Sequence, residues 1–183
     1  TEFMLSFLAT FAQEESVKKS EAMNWSLQQR FKDGKLLTPA LLGYDRQRDV
    51  TGRYIKYAPL VVNQAEAKIV TLIFDAYLAG WTMEEIAAFL TDIGAETKSG
   101  GTEWSANSIN YILTNERYCG DIWTWKTFTA DLYEHKHRKN RRDRTQYRYR
   151  GKHEAIVSEE KFEDVQALIE NRKHHIRGGL PVM

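Results

Sequence analysis

The sequence predicts a mainly α-helical protein with a small β component: a long N-terminal helix, then a winged helix-turn-helix-like domain. Three observations carry this. Residues 1–33 contain no proline or glycine before Gly34. Three shorter helical patterns follow, each opened by a capping residue, and the first two are closed by glycine. A strongly basic stretch with interleaved tyrosines then falls among short alternating segments.

The long helix changes character midway. Phe3, Met4, Leu5, Phe7, Leu8 and Phe11 crowd its first turns, whereas Val17, Trp25, Leu27 and Phe31 are widely spaced. At 1.5 Å per residue it would run roughly 45–50 Å, too long for the remaining chain to cover. Its apolar first half is therefore expected to fray or to pair with a second copy. Residues 34–58 read as an extended linker, punctuated by Pro39, Gly43 and Gly52. The remainder reads as one domain over 59–176, with a tail at 177–183.

Within 59–176, Asn63 and Glu66 have capping-box spacing ahead of Ile69, Val70, Ile73, Phe74 and Tyr77, with Gly80 closing that helix. Thr82 and Glu85 form a second box ahead of Met83, Ile86, Ala87, Leu90 and Ile93, closed by Gly94. Ser105 opens a third helix with Ile109, Ile112 and Leu113 as its buried stripe. Short strands are expected around Ile122–Trp125, Tyr147–Tyr149 and Ala155–Val157. Ser158 then caps a last helix buried through Phe162, Val165, Leu168 and Ile169.

Charge is the strongest functional signal. His135 to Lys152 holds nine Lys/Arg and one acid, a formal +8 in a chain of net +1, so everything else sums to −7. Such asymmetry points to a polyanionic partner. Arginine forks suit phosphates, and tyrosine can bond backbone oxygens or stack on bases. The candidate phosphate contacts are Lys126, Lys136, Arg138, Lys139, Arg141, Arg142, Arg144, Arg148 and Arg150. The competing reading is a solvated basic loop.

Helix 82–93, a turn, and helix 105–114 have the order of a helix-turn-helix. With Ile109, Ile112 and Leu113 inward, Asn107, Ser108, Asn110, Tyr111 and Thr114 face out, with Ser105 at the cap. Asparagine can pair bidentately with adenine in the major groove, and hydroxyls serve several bases. An ordinary helical hairpin fits the same pattern, because the connection 94–103 exceeds the three or four residues usual in a helix-turn-helix. The basic stretch falls where a wing would lie, so reading helix and wing explain each other.

Other chemistries are poorly supported. The histidines have no carboxylate or thiol at ligand spacing, and the single Cys119 excludes a multi-cysteine zinc site and an internal disulfide. It fits a reducing, cytoplasmic setting. There is no phosphate-binding glycine loop and no nucleophile elbow. No apolar run approaches the roughly 18 residues of a membrane span. No cofactor is expected.

In order along the chain, LLGYD (41–45), the run 63–101, WSANSINYILTNERYCGD (104–121) and HEAIVSEEKFEDVQALIENR (153–172) resemble the recombinase domain of the large serine recombinases. LSFLATFAQEES (5–16) resembles the start of the long helix that leaves that family's catalytic domain, and 126–140 resembles the conjugative-transposon branch. Each motif is modest; their succession is specific. The resemblance implies an excised middle of such a protein, binding double-stranded attachment or transposon-end DNA for integration and excision. The family's nucleophilic serine precedes this stretch and its four-cysteine zinc ribbon follows it. Ser6, Ser16, Ser20 and Ser26 do not stand at the nucleophile's motif, so no catalytic residue is expected. The resemblance also puts Gln28, Arg30, Lys32, Lys35, Arg46 and Arg48 near the DNA backbone and minor groove, and the first turns of the long helix in a self-association interface. A stand-alone winged-helix transcription regulator and an RNA-binding factor are the alternatives.

Overall fold

The computed structural model describes residues 2–129, 137–141 and 143–177. The chain divides into two compact units, Thr1–Leu36 with Trp123–Arg148, and Leu37–Ile122 with Tyr149–Met183. The division falls within two short strands, β3 (Ile122–Trp123) and β6 (Arg148–Tyr149).

The first unit is built on α1 (Glu2–Lys32). Gly34 ends it at φ 66°, letting the Lys35 amide return to the Arg30 carbonyl at 2.9 Å. The helix is continuous from Glu2. Met4, Phe7 and Phe11 are each more than 60% exposed. The same unit holds an antiparallel strand pair, β4 (Thr127–Thr129) with β5 (His137–Lys139), in which Phe128 faces Arg138 across the ladder, and α1 meets residues flanking it, Phe31 against Trp125 and Asn24 against Arg144.

The second unit holds the main core. Its helices are α2 (Gln64–Leu78), α3 (Met83–Asp92), α4 (Ala106–Leu113) and α5 (Glu159–Arg177). A short 3₁₀ turn, Glu116–Cys119, follows α4. Most of the expected stripe positions are buried: Val70, Ile73, Phe74 and Tyr77 on α2, Ile86 and Leu90 on α3, Ile109, Ile112 and Leu113 on α4, Val165 and Ile169 on α5, with Ile69, Met83, Phe162 and Leu168 partly buried against them. Ile93 is the exception: α3 ends at Asp92, and Ile93, at its C-cap, is exposed. Arg172 fastens α5 to the α2–α3 turn, donating to the carbonyls of Gly80 and Trp81 at 3.0 and 3.1 Å and lying over the Tyr77 ring.

Helix starts follow side-chain chemistry, with one departure. Thr82 and Glu85 form the expected reciprocal capping box. Asn63 caps α2 by accepting from the amides of Ala65 and Glu66, but Glu66 does not return the bond. Its carboxylate instead takes the Gly43 amide at 2.8 Å and the Lys98 ammonium at 2.9 Å. The Asn63 amide goes to the Gly43 carbonyl at 2.9 Å. A long-range partner thus outcompetes the local one.

That partner belongs to the segment expected as a linker. Residues 37–45 are not a tether: Leu41, Leu42 and Tyr44 lie in the core, and β1 (Tyr44–Asp45) pairs antiparallel with β2 (Val61–Val62). Tyr44 is wholly buried and donates its hydroxyl to the Glu154 carbonyl at 2.8 Å. Burial raises its pKa and that of Tyr118 far above the ordinary phenol value, so both rings stay neutral. Gly43 sits at φ 85°, a backbone that strains any other residue, and a Cβ there would also push Ile156 Cδ1, 2.6 Å away, out of place. Ala155–Val157, expected as strand, forms a bend in which the amides of Ile156 and Val157 share the Tyr118 carbonyl.

Candidate nucleic-acid interface

The outer face of α4 is held from below by three fully or nearly buried aliphatic residues, Ile109, Ile112 and Leu113. Opposite them, Asn107, Asn110 and Tyr111 are exposed. The other three candidates on this helix have local tasks. The Ser105 hydroxyl accepts from the Ser108 amide at 3.2 Å, and Ser108 Oγ donates to the Ser105 carbonyl at 2.7 Å. Together they make a second capping box that the sequence reading did not recognise. Thr114 Oγ1 donates to the Asn110 carbonyl at 2.7 Å. The two asparagines and Tyr111 are therefore the side chains left to read an external surface. Tyr111 also borders an open groove of about 320 Å³ lined by Leu41, Leu42, Lys98, Trp104 and Tyr118.

Lys98, in the α3–α4 connection, bridges Glu66 and Asp45 at 2.9 and 3.2 Å. Burial alone would lower its pKa, but the hydrogen bonds it donates to the two carboxylates outweigh that and raise the value, so the ammonium is firmly charged. The bridge ties the connection before α4 to α2 and to the base of a projecting arm, residues 46–57.

The arm is a small hairpin. Asp49 N donates to the Arg53 carbonyl, Ile55 N to the Gln47 carbonyl, and Arg48 bridges Tyr54 across the ribbon. The Asp49 carboxylate closes the tip by accepting from Thr51 Oγ1 at 2.6 Å and from the Thr51 and Arg53 amides. The hydroxyl bond holds its pKa below the usual carboxylate value. Arg46 and Arg48 both stack on the Tyr54 ring, at 3.7 and 4.1 Å to its centroid. Arg48 also donates to the Gly52 carbonyl and the Tyr54 hydroxyl. These two candidate contacts shape the arm, while Arg53 and Lys56 are exposed on it.

The basic stretch shows the same split between structural and solvent-facing cations. Arg144 lies over the Phe128 and Trp125 rings and donates Nη1 to Asn24 Oδ1 of α1 at 3.0 Å. Buried Asn140 braces the turn, donating to the carbonyls of Trp125 and Arg144 and accepting from the Arg144 amide. Trp125 meets Phe31 edge to face at 5.7 Å and holds φ 49°, a left-handed conformation costing roughly 1–3 kcal/mol outside glycine. Its carbonyl is fixed by Asn140 and Gln146. By contrast Lys126, Arg138, Lys139, Arg141, Arg148 and Arg150 are exposed. Arg148 lies 5.6 Å from the Trp123 ring centroid, and Arg150 approaches Glu159 at 3.8 Å. Lys136 and Arg142 lie outside the described residues. On α1, Gln28 and Arg30 are half-buried, Lys32 is exposed, and Lys35 pairs with Asp33 just beyond it.

Sequence reasoning overlooked Lys98 and Arg117. Arg117, in the 3₁₀ turn after α4, is half-buried, and its Nη1 is buried with no hydrogen-bond partner. Among the described residues no cluster of His, Cys, Asp and Glu could hold a metal, and no helix is long and apolar enough to cross a membrane.

A chain with this helical unit, capped second helix of a pair and basic hairpin has the build of a recombinase domain. A family model described as Recombinase matches residues 64–172, and the chain belongs to that family. It is also similar to a chain in a crystal structure of an LSR–DNA complex, at 26% identity and a TM-score of 0.53, over 83% of this chain and 39% of that one. A second similar structure, from work on the sequence requirements of the Listeria innocua prophage attP site, is 24% identical with a TM-score of 0.48, over 79% and 50%. The likeness to large serine recombinases seen in the sequence motifs is the one found. This chain spans well under half of the first relative's length.

Proposed function

We propose that this chain is a sequence-specific, duplex-DNA-binding region of a serine site-specific recombinase, recognising the attachment or transposon-end site of a mobile element for integration and excision. The observation that carries the reading is the face of α4. Asn107 and Asn110 are exposed on a helix whose inner side is locked in the core, while the neighbouring hydroxyls are occupied by the helix itself. A rigid helix with free carboxamides is suited to bidentate contact with adenine. The exposed cations of the β4–β5 segment supply phosphate contacts that orient without specifying. The arm's exposed Arg53 and Lys56 are assigned to sugar–phosphate contacts. The similar chain in the LSR–DNA complex supports DNA as the partner.

Binding-site selection from a randomised duplex pool tests this. The chain should recover a defined motif. Asn107→Ala and Asn110→Ala should relax preference at one or two positions each, at about 1–3 kcal/mol of discrimination. Unchanged selection profiles in both variants would remove α4 as the reader.

A further inference from the structure

We propose that Lys98 is a positioning residue for duplex recognition, holding the arm 46–57 in register with α4 through Asp45 and Glu66. The proposal rests on the DNA-binding reading above. It names a residue that touches no DNA itself and fixes two contacting elements relative to each other.

Three observations lead there. First, one ammonium is shared by two carboxylates. Lys98 Nζ donates to Glu66 Oε2 and Oε1 at 2.9 and 3.0 Å and to Asp45 Oδ1 at 3.2 Å. The Lys98 and Glu66 side chains are each only 27% exposed, so their pairing is screened less than an open surface bridge. Without the cation, the two carboxylates would be left facing each other as like charges. With it, the local charge is still negative, which does not attract a phosphate, so Lys98 is not itself a backbone contact. Second, each carboxylate is fixed to a different element. Asp45 ends β1, directly before Arg46 of the arm, and its other oxygen accepts from Asn63 Nδ2 at 3.0 Å. Gln47 Nε2 donates to the Pro59 carbonyl at 3.2 Å, holding the two ends of the arm together. Glu66 stands in the first turn of α2 and accepts from the Gly43 amide at 2.8 Å. Third, Lys98 belongs to a connection with little freedom of its own. Thr97 N donates to the Gly101 carbonyl at 2.7 Å and Gly100 N to the Thr97 carbonyl at 2.9 Å, closing a turn that contains Lys98. Trp104 fastens the end of the connection, its indole N–H on the Ala95 carbonyl at 2.9 Å and its amide on Thr91 Oγ1 at 3.0 Å. Ser105, the next residue, caps α4. Lys98 and the exposed Tyr111 of α4 border the same open groove, together with Leu41 and Leu42 ahead of β1. The bridge therefore joins the foot of the arm to the connection that sets α4. Phosphate contacts fix the register in which a helix meets base edges. A sequence-selective complex needs arm and helix in step, whereas sequence-independent binding accepts many poses.

The test measures selectivity rather than affinity alone. Lys98→Met and Lys98→Arg are compared with the parent chain, well below their melting temperatures, on two duplexes of equal length: one recovered by selection with the parent chain, and one unrelated. Lys98→Met should weaken the selected duplex about fivefold, the low end of a coupling between sites, and leave the unrelated one nearly unchanged. Lys98→Arg keeps a cation that forks to carboxylates and should restore most of the selectivity. Arg53→Ala supplies a second readout. Its effect on the selected duplex should be smaller in the Lys98→Met background than in the parent, because the arm is no longer held in step. Effects that simply multiply overturn the proposal. So does an equal weakening of both duplexes by Lys98→Met, the mark of a plain phosphate contact. A lowered melting temperature with parental selectivity also overturns it, since the bridge would then serve the fold alone. If Lys98→Met does not fold, Glu66→Gln carries the test: its carboxamide can still accept from the Gly43 amide but offers the ammonium no charge. Its selectivity should fall in the same direction, and parental selectivity there overturns the proposal. If the parent chain shows no preference between the two duplexes, the DNA reading itself fails. If it binds selectively and only the Lys98 and Glu66 results are negative, this inference alone falls.

Discussion

The unit around α4 and the unit around α1 use polar side chains in opposite ways. In the α4 unit the core is aliphatic and aromatic, and the outer face of α4 carries no formal charge. Its hydroxyls close helix ends, leaving amides outside. In the α1 unit, packing itself runs through a cation: Arg144 covers two aromatic rings and reaches Asn24, around buried Asn140. A run of like charge is thus not a run of like roles. Some members build the segment that displays the others, and only geometry separates them.

The largest expected effect tests where the stability resides. Phe74 is fully buried among α2, the 3₁₀ turn and α5, near the rings of Tyr118 and Phe162. Phe74→Ala should cost about 3–5 kcal/mol in chemical denaturation. Phe11, 61% exposed on α1, should change stability by less than about 0.5 kcal/mol when replaced by Ala. A comparable loss from Phe11→Ala at low protein concentration would show that the first half of α1 is packed, and the contrast between the units would be wrong there.

Much of the α4 unit was legible in sequence because its signals are local. Apolar spacing of three and four residues located the buried stripes, overrunning only at Ile93 beyond the end of α3, and Thr82 with Glu85 and Ser105 marked two helix starts. The misreadings came from partners far apart in the chain. Glu66 sits at capping-box spacing but serves Gly43 and Lys98, residues 23 and 32 positions away. Residues 37–45 looked like tether because they are short and irregular, yet Leu41, Leu42 and Tyr44 fill the core. The candidate interface followed the same rule. The inward–outward division of α4 was readable from periodicity. The tasks of Ser108, Thr114, Arg48 and Arg144 were not, since a hydroxyl or guanidinium carries no sequence mark of which acceptor it will meet. Lys98 and Arg117 escaped notice because a single cation outside the basic run adds nothing to a charge pattern.

A smaller effect sharpens the contrast within the basic stretch. Arg144→Ala removes the bond to Asn24 and the cover over Phe128 and Trp125. It should destabilise the hairpin by about 1–2 kcal/mol, read as faster hydrogen exchange at the Asn140 and Arg144 amides. Arg141, exposed in the same stretch, should leave that exchange unchanged when replaced by Ala. It should instead weaken specific and non-specific duplexes alike and make the salt slope shallower by about 0.9. If the two variants behaved identically, the division into building and displayed cations would collapse.

The smallest expected effect is a pH dependence confined to the α4 unit. His153 is half-buried, its Nε2 2.6 Å from the Arg117 carbonyl and its ring edge-on to Tyr44 at 5.0 Å. Burial pushes its pKa below the ordinary imidazole value. The bond to the Arg117 carbonyl opposes the shift, the Arg117 charge adds to it, and Asp121 opposes it. The unfolded chain therefore takes up the proton first as pH falls. Between the unfolded value, about 6.5, and the lower folded one, the unfolded state binds more protons and stability rises with pH. The contribution is fully present above about pH 6.5 and is lost on acidification through that window. Denaturation midpoints of the parent chain should fall accordingly, and His153→Gln, which keeps a donor for the carbonyl but does not titrate, should flatten that part of the profile. A His153→Gln variant with a flattened profile and intact DNA affinity would separate the support of the turn from its titration. An unflattened profile would place the titrating group elsewhere.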